Sequence, residues 1–235
     1  MTVEVLFSEV CNLFGDAQNM AYLRQTLPTA EFIETPLTET PYFVGNTPDL
    51  IYMGSMTENT QRRVIDTLRP YKDRIAALIE GGTVFLFTGN AGEVLMRHIS
   101  YVTEKIETDG LGLIDLTVET DLFSRYNGKI LGMFGEIPVV GFRSQFSRVL
   151  GNNEKNAFLR VERGAGSDLQ SKYEGVRINN CFVTAVLGPI LPNNPLFTEY
   201  LVSLPGENAP AAFRKEAMAA YDQRLKEFRD PAVRF

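Results

Sequence analysis

The chain of 235 residues has no tryptophan, one histidine and two cysteines. Each shortage excludes something. Cys11 and Cys181 are too few for a disulfide framework or a cysteine-rich zinc cluster, so both read as reduced core thiols. His98 is the single imidazole for any general-base or metal-ligand role. No apolar run approaches the roughly 18 residues of a membrane span, and the longest are strand-sized, so no membrane insertion is expected. The start, Met1-Thr2-Val3-Glu4-Val5-Leu6-Phe7, lacks the basic and apolar regions of a signal peptide, which predicts a cytoplasmic protein. Positive charge is also scarce: 23 Lys and Arg stand against 29 Asp and Glu, and the basic residues are scattered. A nucleic-acid surface needs them clustered, so nucleic acid is not expected as a partner.

What is present is the alternation of an α/β chain. Apolar runs at 3–7, 31–34, 49–54 and 83–87 predict strands. Residues 19–25 and 61–79 predict helices, the second interrupted at Pro70 and stopped by Gly81-Gly82. The turn Thr88-Gly89-Asn90-Ala91-Gly92 follows the fourth strand, and 93–97 is expected to open a helix that carries His98. The order strand, helix, strand, strand, helix, strand, helix predicts a mostly parallel sheet flanked by helices. Past residue 110 the pattern shifts to strands at 129–134, 137–142, 157–161, 176–178 and 181–187. Helices at 195–204 and 211–228 follow, with Pro210 at the start of the last and Pro231 beyond its end. No repeat, low-complexity stretch or linker divides residues 1–235, which read as one domain.

Four segments, in chain order, form a combination. They are Asn12-Leu13-Phe14-Gly15-Asp16 with Asn19; residues 54–61; Gly110-Leu111-Gly112-Leu113-Ile114-Asp115; and Glu174-Gly175-Val176-Arg177 followed by Gly188-Pro189, Leu191-Pro192 and Asn194-Pro195. Together they resemble the class I glutamine amidotransferases of cobyric acid synthase (CobB/CobQ) type, above all the glutaminase subunits of lipid II isoglutaminyl synthases. The resemblance implies a flavodoxin-like three-layer fold with its site at the sharp strand-to-helix turn after Phe87. It also implies a hetero-oligomer with a Mur-ligase-like, ATP-dependent synthetase of cell-wall metabolism, and no cofactor. In that family the turn holds a cysteine, two glycines and then a glutamine. Alignment puts Gly89 at the cysteine, Asn90 and Ala91 at the glycines and Glu93 at the glutamine. The family's histidine, just before the Gly-Pro pair, is Leu187 here. Its oxyanion glycines read Gly54-Ser55-Met56, and a Glu-Asn-His-like segment reads Arg143-Ser144-Gln145.

Glutamine hydrolysis by that route needs a thiolate and an imidazole within hydrogen-bond reach of it. Glycine and leucine supply neither. On the predicted elements Cys181 lies roughly 20 Å from Leu187 at strand rise, and His98 about 13 Å from Gly89 at helical rise. No cysteine–histidine pair assembles. The expectation is therefore no catalytic residue, no metal, and a vestigial pocket of Gly54, Ser55, Met56, Thr88, Gly89, Asn90, Glu93, Arg143 and Gln145. Ser55, Thr88 and Ser144 lack a base to activate them. Arg143 reads as an ion-pair partner of an acid such as Glu93, or else as a carboxylate binder. The leading functional expectation is a non-catalytic (pseudo-glutaminase) partner subunit. The alternative is a pocket repurposed to bind an amino acid or carboxylate, or to run another reaction. The third is an active glutaminase with unusual residues.

Overall fold

A computed structural model describes residues 1–235. The chain runs β1 (Thr2–Leu6), α1 (Ala17–Thr26), β2 (Glu31–Thr35), β3 (Leu50–Met53), α2 (Glu58–Leu68), α3 (Lys72–Glu80), β4 (Val84–Thr88), β5 (Met96–Tyr101), β6 (Ile106–Asp109) and β7 (Ile114–Thr120). It continues through β8 (Tyr126–Phe134), β9 (Ile137–Gln145), β10 (Ser147–Leu150), β11 (Leu159–Arg163), β12 (Tyr173–Glu174), β13 (Val176–Ile178), β14 (Cys181–Thr184), α4 (Ile190–Asn193), α5 (Pro195–Ser203) and α6 (Arg214–Arg229). The central sheet has the order β13-β14-β4-β3-β1-β2. Its neighbours are parallel except for the antiparallel edge pair of β13 and β14.

Both faces of this sheet are covered, as the near-continuous apolar runs of β3 and β4 require. Val3, Val5, Leu50, Tyr52, Val84, Leu86 and Phe182 face α1, α4, α5 and the inner side of β8 and β9. There Phe134, Phe158, Phe182 and Phe197 pack ring against ring, every pair at 5.1–5.8 Å. On the opposite face Ile51, Met53, Phe85, Phe87 and Val183 meet α2, α3, β5 and β7. The outer layers are thus helix and sheet together. The strands β5 to β12 form two further sheets, β10-β7-β5-β6 and β12-β11-β8-β9. The chain changes between them three times, at residues 121–125, at Phe146 and at residues 151–158, and the Asp121 N–H donates to the Phe146 carbonyl at 2.9 Å to tie the first two crossings together.

Two expected helices differ. No helix opens at 93–97: Gly89–Leu95 is 3-10 and the chain then extends into β5. Ala91, Val94 and Leu95 are fully buried, and a side chain at Gly92 would collide with Val183. A segment covered on every side has no solvent face for an amphipathic helix, and pairing of β5 with β6 and β7 takes its backbone groups instead. The last helix starts at Arg214, not at residue 211 behind Pro210. Phe213 is left-handed (φ 50°), and Ala211 and Ala212 donate their N–H groups to Glu199 and Thr26. Those contacts dock the segment on α5 and α1 in a non-helical path. The pairing of strands also ends earlier than expected in β14, which stops at Thr184.

Candidate functional site

Parallel register assembles the site. Met53 pairs with Phe87, and Thr88 pairs with Thr184. The residues that follow each strand, 54–56, 89–90 and 185–187, therefore emerge side by side at one edge of the sheet. This is where open α/β sheets place their crevices. The segment after β1 joins them, because β1 lies between β2 and β3 where the strand order reverses.

The floor of the crevice is a buried polar network centred on Asp16, which is fully buried. Its Oδ2 accepts from the Ser55 N–H (2.7 Å), the Ser55 hydroxyl (2.8 Å) and the Thr88 hydroxyl (2.9 Å). Asn19 Nδ2 donates to the Tyr52 hydroxyl at 3.0 Å, and Asn19 Oδ1 accepts from the Leu191 N–H at 2.9 Å. Burial pushes the Asp16 carboxyl up, opposed by the three donors. The network thereby pins the carboxyl ends of β1, β3 and β4 to one another. Gly54 is required here: a Cβ would lie 2.3 Å from the Cys11 carbonyl oxygen. The Asn12–Asp16 motif is accordingly turn chemistry, and its φ > 0 residues Phe14 and Gly15 make the reversal.

Above the floor sit the two positions aligned with nucleophile and base. Gly89 is left-handed (φ 60°), the strained turn that an elbow nucleophile occupies in α/β enzymes. A Cβ on Gly89 would lie 2.5 Å from Ser55 Cβ and 3.4 Å from Leu187 Cδ2. The structure therefore brings Gly89 and Leu187 together and fills the space of a side chain at residue 89 with Ser55. The neighbouring backbone is also engaged. The Asn90 side chain accepts from the Met56 N–H (2.9 Å) and donates to the Met56 carbonyl (2.8 Å). With the Ser55 N–H on Asp16, both loop donors aligned with the oxyanion segment are satisfied internally.

Neither thiol replaces the missing nucleophile. Cys11 Sγ lies 3.8 Å from Met56 Sδ, and burial pushes its pKa up to about 12. Cys181 is buried at the start of β14, likewise pushed up to about 12 by burial. His98 stands on β5, not on a helix, with Nδ1 2.9 Å from Asp109 and Nε2 2.7 Å from Glu107. Its hydrogen bonds to those carboxylates raise its pKa, and it forms a surface cluster with them, whereas both thiols are buried.

The crevice has a volume of about 220 Å³ and takes in Ser55, Met56, Gly89, Asn90, Glu93, Gln145 and Leu187. Thr88 lies beneath it, and Arg143 lines an adjoining pocket. Glu93 is buried; Oε2 accepts from Gln61 Nε2 at 2.8 Å and Oε1 from the Ser147 hydroxyl. Burial pushes its carboxyl up to about 7, against the Ser147 and Gln61 hydrogen bonds. The expected ion pair between Glu93 and Arg143 does not form, because Gln61 and Ser147 take both carboxylate oxygens. Sequence reasoning missed Gln61, Arg125, Phe146 and Ser147. The last three reach the crevice only because the chain changes sheets there, and no local pattern signals that.

The sequence is 27% identical over 208 residues to subunit GatD of the glutamine-hydrolyzing lipid II isoglutaminyl synthase of Staphylococcus aureus (strain N315), covering 86% of this chain and 83% of that protein. No protein-family model matches the chain. The fold is that of glutamine amidotransferases. One such crystal structure superposes with a TM-score of 0.57 at 14% identity, over 87% of this chain and 99% of the other. A second, a glutamine amidotransferase from Thermotoga maritima, gives a TM-score of 0.52 at 11% identity, over 95% and 92%.

Proposed function

We propose that the chain is a glutamine amidotransferase-like subunit without glutaminase chemistry, which docks on a Mur-ligase-like, ATP-dependent amide synthase in cell-wall amidation of the lipid II type. Residues 1–235 act as one such domain, in the cytoplasm. The observation that carries the reading is the packing at Gly89: no nucleophile, no base at Leu187, Ser55 in the side-chain space, and Asn90 clasping the Met56 backbone. Amide hydrolysis needs a covalent attack and a shuttled proton, and neither group is present. The likeness to GatD, itself a subunit of a larger synthase by its name, supports a subunit role. Such a chain stabilises the synthetase or shapes its substrate pocket, while free ammonia or another amine serves as nucleophile.

The test is affinity purification of the full chain under native conditions, with bound proteins identified by mass spectrometry. The expected result is stoichiometric recovery of a Mur-ligase-like synthetase. Recovery of the chain alone contradicts the reading.

A further inference from the structure

Two buried side-chain polar atoms in the molecule lack a hydrogen-bond partner: Thr120 Oγ1 and Arg143 Nε. Both residues line the same region. Thr120 borders the elbow crevice, and Arg143 borders a pocket of about 110 Å³ that shares Arg125, Gln145 and Ser147 with it. Native interiors pair nearly all such atoms, so an orphan beside a cavity marks a missing partner.

Arg143 is 2% exposed and forms no ion pair. Its one hydrogen bond runs from Nη1 to the Ala165 carbonyl at 2.7 Å, and its Cζ lies 5.5 Å from the centre of the Tyr126 ring. Ala165 and Tyr126 both line the pocket, which places the guanidinium end there. The acid that acts on it most, Glu174, is occupied: its oxygens accept from the Thr184 hydroxyl at 2.8 Å and the Ala185 N–H at 2.7 Å. Asp168, the acid in the pocket lining, accepts from the Gln170 and Ser171 N–H groups through Oδ1. At the mouth the exposed Arg125 and Arg148 add two positive charges. Glu174, Asp168 and Glu93 act on the buried guanidinium as counter-charges without forming an ion pair, and the pocket lining sets Arg125, Arg143 and Arg148 against Asp168 alone, a surplus of positive charge.

We infer that this side pocket binds a small oxyanion, a carboxylate or a phosphoryl group, seated on the guanidinium of Arg143. With Nη1 held by Ala165 and Nε unpaired, Nε and Nη2 are the donors left to pair, the edge that matches two anionic oxygens. The site is separate from the elbow chemistry and does not rest on the docking reading, since the free chain contains all of it. The competing occupant is a water: a void of about 20 Å³ between Arg143, Glu93 and Glu174 has room for one.

The test is thermal unfolding of the full chain in sodium acetate, in sodium phosphate and in sodium chloride, at equal ionic strength. Wild type is expected to gain about 3–5 °C in acetate, phosphate or both once the anion exceeds its Kd about tenfold. A gain in acetate alone assigns a carboxylate, and a gain in phosphate alone a phosphoryl group. Arg143→Met is expected to abolish the gain and to melt in chloride no lower than wild type, because an apolar chain replaces a desolvated charge that forms no ion pair. Should that variant fail to fold, Arg148→Gln at the mouth decides, with an expected loss of about tenfold in anion affinity. A flat wild-type response to both anions, or the same response in Arg148→Gln as in wild type, overturns the inference and leaves water as the partner of Arg143.

Discussion

The floor and the rim of one crevice differ in kind. On the floor, Asp16 gathers Ser55 and Thr88, while Asn19 and Tyr52 bond each other, and every donor has a partner. On the rim, at Gly89 and Leu187, there is no group that attacks or carries a proton. The floor shows that the geometry of an elbow is set by hydrogen bonds beneath it and by strand register, independently of what the elbow carries.

Four predictions sharpen or break that comparison. The largest effect belongs to the floor. Asp16→Ala leaves the Ser55 N–H and the Thr88 hydroxyl buried without their acceptor, and is expected to cost about 4 kcal/mol in urea unfolding. A loss below about 1 kcal/mol denies the network its clamping role. Next is the rim's own packing. Gly89→Ala adds a Cβ at φ 60° against Ser55 and is expected to cost about 3 kcal/mol, with roughly half recovered by Ser55→Gly in the same chain. Additive losses in a double-mutant cycle contradict the contact.

Glu93 comes third, and its effect depends on pH. Its pKa rises from 4.5 to about 7 in the fold, so the folded state binds more protons than the unfolded chain across that window. The associated stability is present below pH 4.5 and is lost as pH rises through 7. Glu4, Asp16 and Glu174 are pushed up too, mainly by burial, so the difference between wild type and variant isolates Glu93. Glu93→Gln is expected to gain about 2 kcal/mol on wild type at pH 8 and nothing at pH 4. A gain that does not change with pH contradicts the assignment.

The smallest effect is expected from restoring chemistry alone. Gly89→Cys with Leu187→His leaves glutamine hydrolysis at background, because Ser55 blocks the side chain and Asn90 holds the Met56 N–H. Adding Ser55→Gly and Asn90→Gly is expected to bring ammonia release above background. Full activity in the two-site variant shows that the rim is not obstructed.

Much of this was legible in the sequence. The parallel core follows from apolar runs ended by glycine, and the nearness of Gly89 to Leu187 is what the family resemblance implies. The helix expected at 93–97 was not there. Glu, Leu, Met and Arg favour a helix locally, but β5 pairs with residues 114–120 across the intervening hairpin, and that pairing decides. The expected Arg143–Glu93 ion pair failed for a similar reason. Its rivals, Gln61 and Ser147, stand 32 and 54 residues from Glu93 and reach it only through the assembled sheets. Local pattern gives the elements; the choice of partner for a buried charge belongs to the whole fold.

The most direct test of the central claim is incubation of the purified chain with amide-labelled glutamine, followed by detection of labelled ammonia and glutamate, alone and with the synthetase it recovers. The account predicts release no faster than the spontaneous rate in both cases. Release above that rate, abolished by a substitution lining the crevice, would show that the elbow still hydrolyses glutamine by a route other than cysteine and histidine.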